Sequence, residues 1–144
     1  MIENERQYRI TRAQMAKLEQ ARARLEQAPL PADVHPLLRA AELAGLQSQV
    51  AALQAQLADY EALQAGGPLV LEVASFDDLP QALIRARIAA GLSQEALATK
   101  LGLKKQQIQH YEATRYASAS LQRIRQVLAA LGVSLRADLV LPAA

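Results

Sequence analysis

The chain has no cysteine and no tryptophan, and only one phenylalanine and four tyrosines among 144 residues. Without cysteine there are no disulfides and no thiolate chemistry, which fits a reducing compartment. With so few aromatics, the interior must be filled by Ala, Leu and Val, a composition suited to helices with thin interfaces. No apolar run approaches the roughly 18 residues of a membrane span. The start, Met1-Ile2-Glu3-Asn4-Glu5-Arg6, lacks the regions of a signal peptide. A cytoplasmic protein with no membrane association is therefore expected. Catalytic groups are also sparse. There is no Gly-rich phosphate loop and no acid pair with a nucleophile at workable spacing, and His35 and His110 fall in different segments. These residues predict no enzyme, no metal site and no cofactor.

Charge, by contrast, is abundant and unevenly placed. Residues 1–78 hold 7 Lys/Arg against 11 Asp/Glu, a net −4, whereas residues 79–144 hold 9 against 3, a net +6. A basic half of this kind fits a polyanionic partner. The length allows one large domain or two small ones, and two fit better.

In the acidic half, Thr11 with Gln14 makes a capping-box pattern, and Ala13 to Gln27 reads as a helix with Met15, Leu18 and Leu25 along one side and Arg22 interrupting. Three prolines between Ala28 and Pro36 force a turn or short linker. From Leu37 to Ala65, the residues Leu43, Leu46, Val50, Leu53, Leu57 and Tyr60 recur at alternating spacings of three and four, a heptad seam. A helix of roughly 40 Å is longer than a small domain needs internally. The seam is expected to dimerise, either as a coiled coil or as a hairpin with the first helix that doubles into a four-helix unit. The alternative is an intramolecular hairpin in a monomer. Gly66-Gly67-Pro68 breaks the helix and marks the boundary. Leu69 to Val73 and Val133 to Leu141 read as short strands that could pair within one chain or across a dimer.

In the basic half, Gly91 to Glu112 reads as two short helices around a tight turn. Ser93 caps the first, and Ala96, Leu97 and Leu101 give it a buried face. Gly102 can end it with φ > 0, and Leu103 can tuck under the corner. The chain restarts at Lys104, with Ile108 and Tyr111 pointing inward and Lys105, Gln106, Gln109 and His110 pointing outward. A Gln can pair bidentately with adenine N6/N7, and Lys can reach guanine O6/N7, so this face suits the edges of bases in double-stranded DNA. Asp77 or Asp78 can cap a preceding helix near Leu79-Pro80. Ser118 or Ser120 can start a last helix with the stripe Leu121, Ile124, Val127, Leu128 and Leu131.

Residues 79–133 resemble the Xre-type helix-turn-helix regulators, which include lambdoid phage repressors and many bacterial antitoxins. The resemblance is carried by Arg87-Ile88-Ala89-Ala90-Gly91-Leu92-Ser93-Gln94, the Ala98-x-x-Leu101-Gly102 turn, Ile108 with Glu112, and Ala130-Leu131-Gly132-Val133-Ser134. It implies that Gln94 meets a DNA phosphate, that Lys105, Gln106, Gln109 and His110 face the major groove, and that Arg87 and Glu112 form a structural pair. Two features depart from the pattern. Lys104 stands where Ser or Thr usually caps the reading helix. Glu112-Ala113-Thr114 replaces the usual E-x-G, and it precedes a loop, Arg115 to Ser120, that is one residue longer than the common proline-bearing version.

The expected DNA-binding set is Gln94, Lys104, Lys105, Gln106, Gln107, Gln109, His110 and Arg115. The expected fold is mainly α. Residues 1–66 would form a helical coiled-coil dimerisation domain and 67–78 a linker with a short strand. Residues 79–132 would form a lambda-repressor-like helix-turn-helix bundle, followed by a strand or tail at 133–144. The expected function is a homodimeric, sequence-specific transcriptional regulator acting as a repressor on an inverted repeat. The alternatives are an antitoxin that binds a toxin and represses its own operon and, behind it, a helical protein-binding adaptor.

Overall fold

The computed structural model describes residues 1–143. The chain forms two compact units, Met1–Ala62 and the remainder from Leu63 onward. Among the described residues the fold is mainly helical, with six α-helices and no β-strand.

The first unit is built from α1 (Glu5–Gln27) and α2 (Pro36–Gln64). α1 begins well before the Thr11-Gln14 pattern because Asn4 provides a better start. The Asn4 side chain accepts from the Gln7 N–H at 3.0 Å, and Gln7 Oε1 accepts from the Glu3 N–H at 2.8 Å. The half-buried stripe of α1 accordingly runs from Tyr8 and Thr11 through Met15, Leu18, Arg22 and Leu25, a heptad spacing along its whole length.

Contacts at both ends make the two helices antiparallel. Near the N-terminus of α1, the Tyr8 ring stacks on Tyr60 with centroids 5.2 Å apart, and its hydroxyl donates to Glu61 Oε1 at 2.5 Å. At the opposite end, Arg39 donates to the carbonyls of Leu25 at 3.0 Å, Ala28 at 2.7 Å and Pro29 at 3.2 Å. A helix end leaves its last carbonyls without partners, and here a guanidinium from the next helix supplies them. Pro36 opens α2 at a position where its missing N–H does no harm, and His35 Nδ1 accepts from the Leu37 N–H at 3.1 Å. Of the seam, Val50, Leu57 and Tyr60 are buried, while Leu43, Leu46 and Leu53 are half-buried.

The second unit holds a single 3-10 turn (Phe76–Asp78) and then α3 (Leu79–Ala89), α4 (Gln94–Leu101), α5 (Lys105–Ala113) and α6 (Leu121–Leu131). The Asp78 carboxylate does not cap α3. It turns back to accept from the Ser75 N–H at 3.0 Å and the Ser75 hydroxyl at 3.1 Å. α6 is capped by Ser120, whose hydroxyl accepts from the Arg123 N–H at 3.1 Å.

Ile84, Leu97, Ile108 and Val127, one from each helix, are all fully buried and form the centre of the core. Leu121 departs from its expected stripe: at the first position of α6 it is 68 % exposed. The strands expected at 69–73 and 133–141 do not form: both segments lack regular secondary structure, with Val70 and Leu139 almost wholly exposed. Their alternating pattern suits a sheet face, but a lone two-stranded ladder is marginal in water, and no further strand lies among the described residues to support one.

Candidate nucleic-acid interface

Local rules shape the α4–α5 corner. The Ser93 hydroxyl accepts from the Ala96 N–H at 3.0 Å, which starts α4. Gly102 ends it with φ +67, a left-handed conformation in which a side chain would be strained. The Leu103 N–H then reaches back to the Ala98 carbonyl at 2.8 Å, closing the turn in the Schellman manner. The cap that Lys104 cannot supply comes from Gln107. Gln107 Oε1 accepts from the Lys104 N–H at 2.9 Å, while its own backbone N–H donates to the Lys104 carbonyl at 2.9 Å. Gln107 therefore serves the helix start.

On α5, Lys105, Gln106, Gln109 and His110 are exposed together, and Lys104 is exposed beside them. Ile108 is fully buried on the opposite face, and Tyr111 is half-buried. The helix has one carboxylate, Glu112, and it is 1 % exposed, so no negative side chain interrupts the polar face.

Glu112 is instead the partner of Arg87, itself 2 % exposed. Arg87 Nε donates to Oε1 at 2.6 Å and Nη2 donates to Oε2 at 3.0 Å, a bidentate pair, while Nη1 donates to the Leu92 carbonyl at 2.8 Å. Arg87 and Glu112 thus meet as a buried, bidentate ion pair. Gln94 is held differently: it is half-buried, and its Nε2 donates to Glu112 Oε2 at 2.6 Å.

The loop after α5 contains a residue that sequence reasoning passed over. Arg115 and Tyr116 both adopt left-handed backbone, at φ 53 and 56, a conformation that favours glycine. Arg115 is exposed. Tyr116 turns inward, is only 4 % exposed, and stacks on Tyr111 with centroids 5.8 Å apart and planes 5° from parallel. The signal was the loop Arg115 to Ser120, which holds no glycine, since a left-handed turn without glycine needs a packed side chain to hold it. Burial, with the nearby Glu112 carboxylate as the lesser cause, pushes the Tyr116 hydroxyl well above its ordinary pKa. That hydroxyl has no hydrogen-bond partner among the described residues. Tyr116→Phe is therefore expected to stabilise the protein by about 1 kcal/mol, because it removes an unmet desolvation penalty. The urea midpoint would report this, and a lower midpoint would show that the hydroxyl is satisfied.

A capped short helix, a left-handed turn and a second helix with a carboxylate-free polar face define a helix-turn-helix. Residues 83–137 match the family model described as Helix-turn-helix, which supports a motif of the Xre and lambda-repressor type and a capacity to bind DNA. No curated protein and no solved structure matches the chain. Among the described residues no helix is long and apolar enough to cross a membrane, and no three His, Cys, Asp or Glu side chains gather in a metal-binding group.

Proposed function

We propose that this protein is a sequence-specific, DNA-binding transcriptional regulator, a dimeric repressor that reads an inverted repeat. The observation that carries this reading is the exposed row Lys105, Gln106, Gln109 and His110 on a helix seated by fully buried Ile108. Long hydrogen-bonding side chains on a rigid helix are what the major groove can distinguish. Lys104 and Arg115, exposed at the two ends of α5, would lie toward phosphates, which position the helix but carry no sequence information. The net +6 of residues 79–144 agrees with a polyanion.

Dimerisation is assigned to residues 1–66, with 67–78 as linker, 79–132 as the reading domain and 133–144 as tail. The hairpin supports a four-helix dimer rather than a coiled coil of α2 alone, because α2 already meets α1 of the same chain near both of its ends. α1 has no fully buried residue, and Leu43, Leu46 and Leu53 are only half-covered, so apolar surface remains for a second copy. Two-fold symmetry then sets half-sites about 10 bp apart or a multiple of that.

Gln106→Ala or Gln109→Ala is expected to lose about 1–3 kcal/mol on the operator and little on unrelated DNA. Equal loss on all sequences would refute base reading. The direct test is footprinting of the protein on DNA upstream of its own gene across a salt series. A protected inverted repeat with affinity falling steeply in salt supports the proposal, and no protection at any salt sinks it.

An antitoxin that also holds a toxin through its acidic half is the second reading. It is favoured by Leu37 and Leu38, which stand 72 % and 60 % exposed at the start of α2. Co-expression with the neighbouring gene product separates the two: a stable hetero-complex supports the antitoxin, and its absence leaves the plain regulator.

A further inference from the structure

We propose that a groove beside the loop after α5 binds a small organic anion with an apolar body, and that this ligand draws Arg115 away from DNA. The binding stands on the groove alone, whereas the effect on DNA rests on the function proposed above. The groove lies within the second unit and has a volume of about 400 Å³. Its walls come from the Phe76–Asp78 turn, the start of α3, the loop and the start of α6. Sites for small molecules run from about 300 to 1,000 Å³. Phe76, the only phenylalanine of the chain, and Leu121 line the groove at 66 % and 68 % exposure, while Leu79 and Leu83, also in its walls, are buried. Two large apolar side chains on one groove are thus left in water, and an apolar ligand body would cover both.

The loop wall carries two further marks of a ligand site. Arg115 and Tyr116, both in that wall, hold left-handed backbone at φ 53 and 56, and such strain in non-glycine residues concentrates at ligand clamps. The hydroxyl of buried Tyr116 has no hydrogen-bond partner among the described residues. Charge selects the ligand. The walls hold one cation, Arg115, and one anion, Asp77, while the neighbouring Asp78 carboxylate is turned back to Ser75. The rest of the unit decides between the two signs: residues 63–144 hold 9 Lys/Arg against 6 Asp/Glu, a net +3, so the field attracts an anion. An anionic head at Arg115 and a ring or chain against Phe76 and Leu121 use the charge and the exposed apolar walls together. Arg115 is also the residue assigned to a phosphate at the end of α5, so a guanidinium engaged by the ligand is lost to DNA.

The probe is α-naphthylacetate, with α-naphthylmethylamine as a cation of similar apolar body. Protein labelled with carbon-13 at its methyl groups would be titrated with each. The anion is expected to bind with a Kd of about 1 mM or tighter. It should shift the methyls of Leu79, Leu83, Leu121 and Ile124 and leave those of Val50 and Leu57 in the first unit unmoved. Leu121→Ser, at an exposed position, should keep the wild-type Tm and bind the anion roughly fivefold more weakly. No shift, equal binding of the cation, shifts spread over both units, or an unchanged Kd in Leu121→Ser would overturn the site. The effect on DNA is read by fluorescence anisotropy on a duplex selected from a randomised pool, with sodium chloride as the control for ionic strength. Naphthylacetate at about ten times its Kd should weaken wild-type binding by between about threefold and tenfold, and should act less on Leu121→Ser. Methyl shifts with unchanged DNA affinity would overturn the effect on Arg115. Wild-type protein that binds no duplex would remove the DNA-reading function, and the methyl shifts would still decide the site.

Discussion

Replacing Glu112 with alanine should destabilise the second unit by about 3–5 kcal/mol, because it strands the Arg87 guanidinium at 2 % exposure without its counter-charge. Two of the guanidinium's donor atoms, Nε and Nη2, lose their acceptor at once, and the Gln94 amide loses its acceptor too. A loss of that size is a large share of the stability of an ordinary domain, so much of the variant should be unfolded near physiological temperature. The double variant Arg87→Met with Glu112→Leu should recover most of the loss, since removing both charges also removes the cost of burying them. Urea denaturation of the single and double variants checks both statements. A single-variant loss under about 1 kcal/mol would show that solvent reaches the guanidinium and that the pair is a surface-type bridge.

Ile108→Ala should cost about 2–5 kcal/mol, the loss expected when a large aliphatic side chain is cut back at a fully buried site. For a unit of this size that corresponds to a Tm lower by roughly 10 °C or more. The position makes the substitution informative about function as well. Ile108 lies on α5 between Gln106 and Gln109, so the cavity it leaves lies directly beneath the reading face. DNA discrimination should therefore fall even at temperatures where the variant remains folded. Gln106→Ala offers the contrast, since its side chain is exposed and its loss should leave the Tm nearly unchanged. If both variants lost discrimination with no change in Tm, Ile108 would not be seating α5.

Much of the helix-turn-helix was legible before any coordinates because its determinants act within a few residues of one another. Ser93 caps its own helix, and Gly102 supplies its own left-handed turn. Ile108 and Tyr111 announce an inward face by spacing alone. Arg87 with Glu112 came from resemblance, not from spacing, since 25 residues separate them. Other features depended on which groups meet in space. Lys104 gave no sign that Gln107 would cap its helix, because Gln107 read equally well as a base contact. The prolines at 29 and 31 marked the turn between α1 and α2. They did not show that Arg39 would satisfy the last carbonyls of α1. The strands were misread for a related reason. Alternation at 69–73 and 133–141 describes a face that could be buried, and burial needs a partner strand that the single chain does not provide.

By itself, then, the sequence determined that the chain is helical, where its turns fall, that the basic charge lies with the helix-turn-helix, and which side of α5 faces outward. Capping, left-handed glycine, heptad spacing and charge are properties of neighbouring residues and survive without a fold. Only the tertiary structure decided that the α2 seam meets α1 of its own chain, that Tyr116 turns inward, and that the Gln94 amide is bound to Glu112. Each of those is a choice among competing partners of similar strength. Such choices are settled by distance and by exclusion of water, which exist only once the helices have packed.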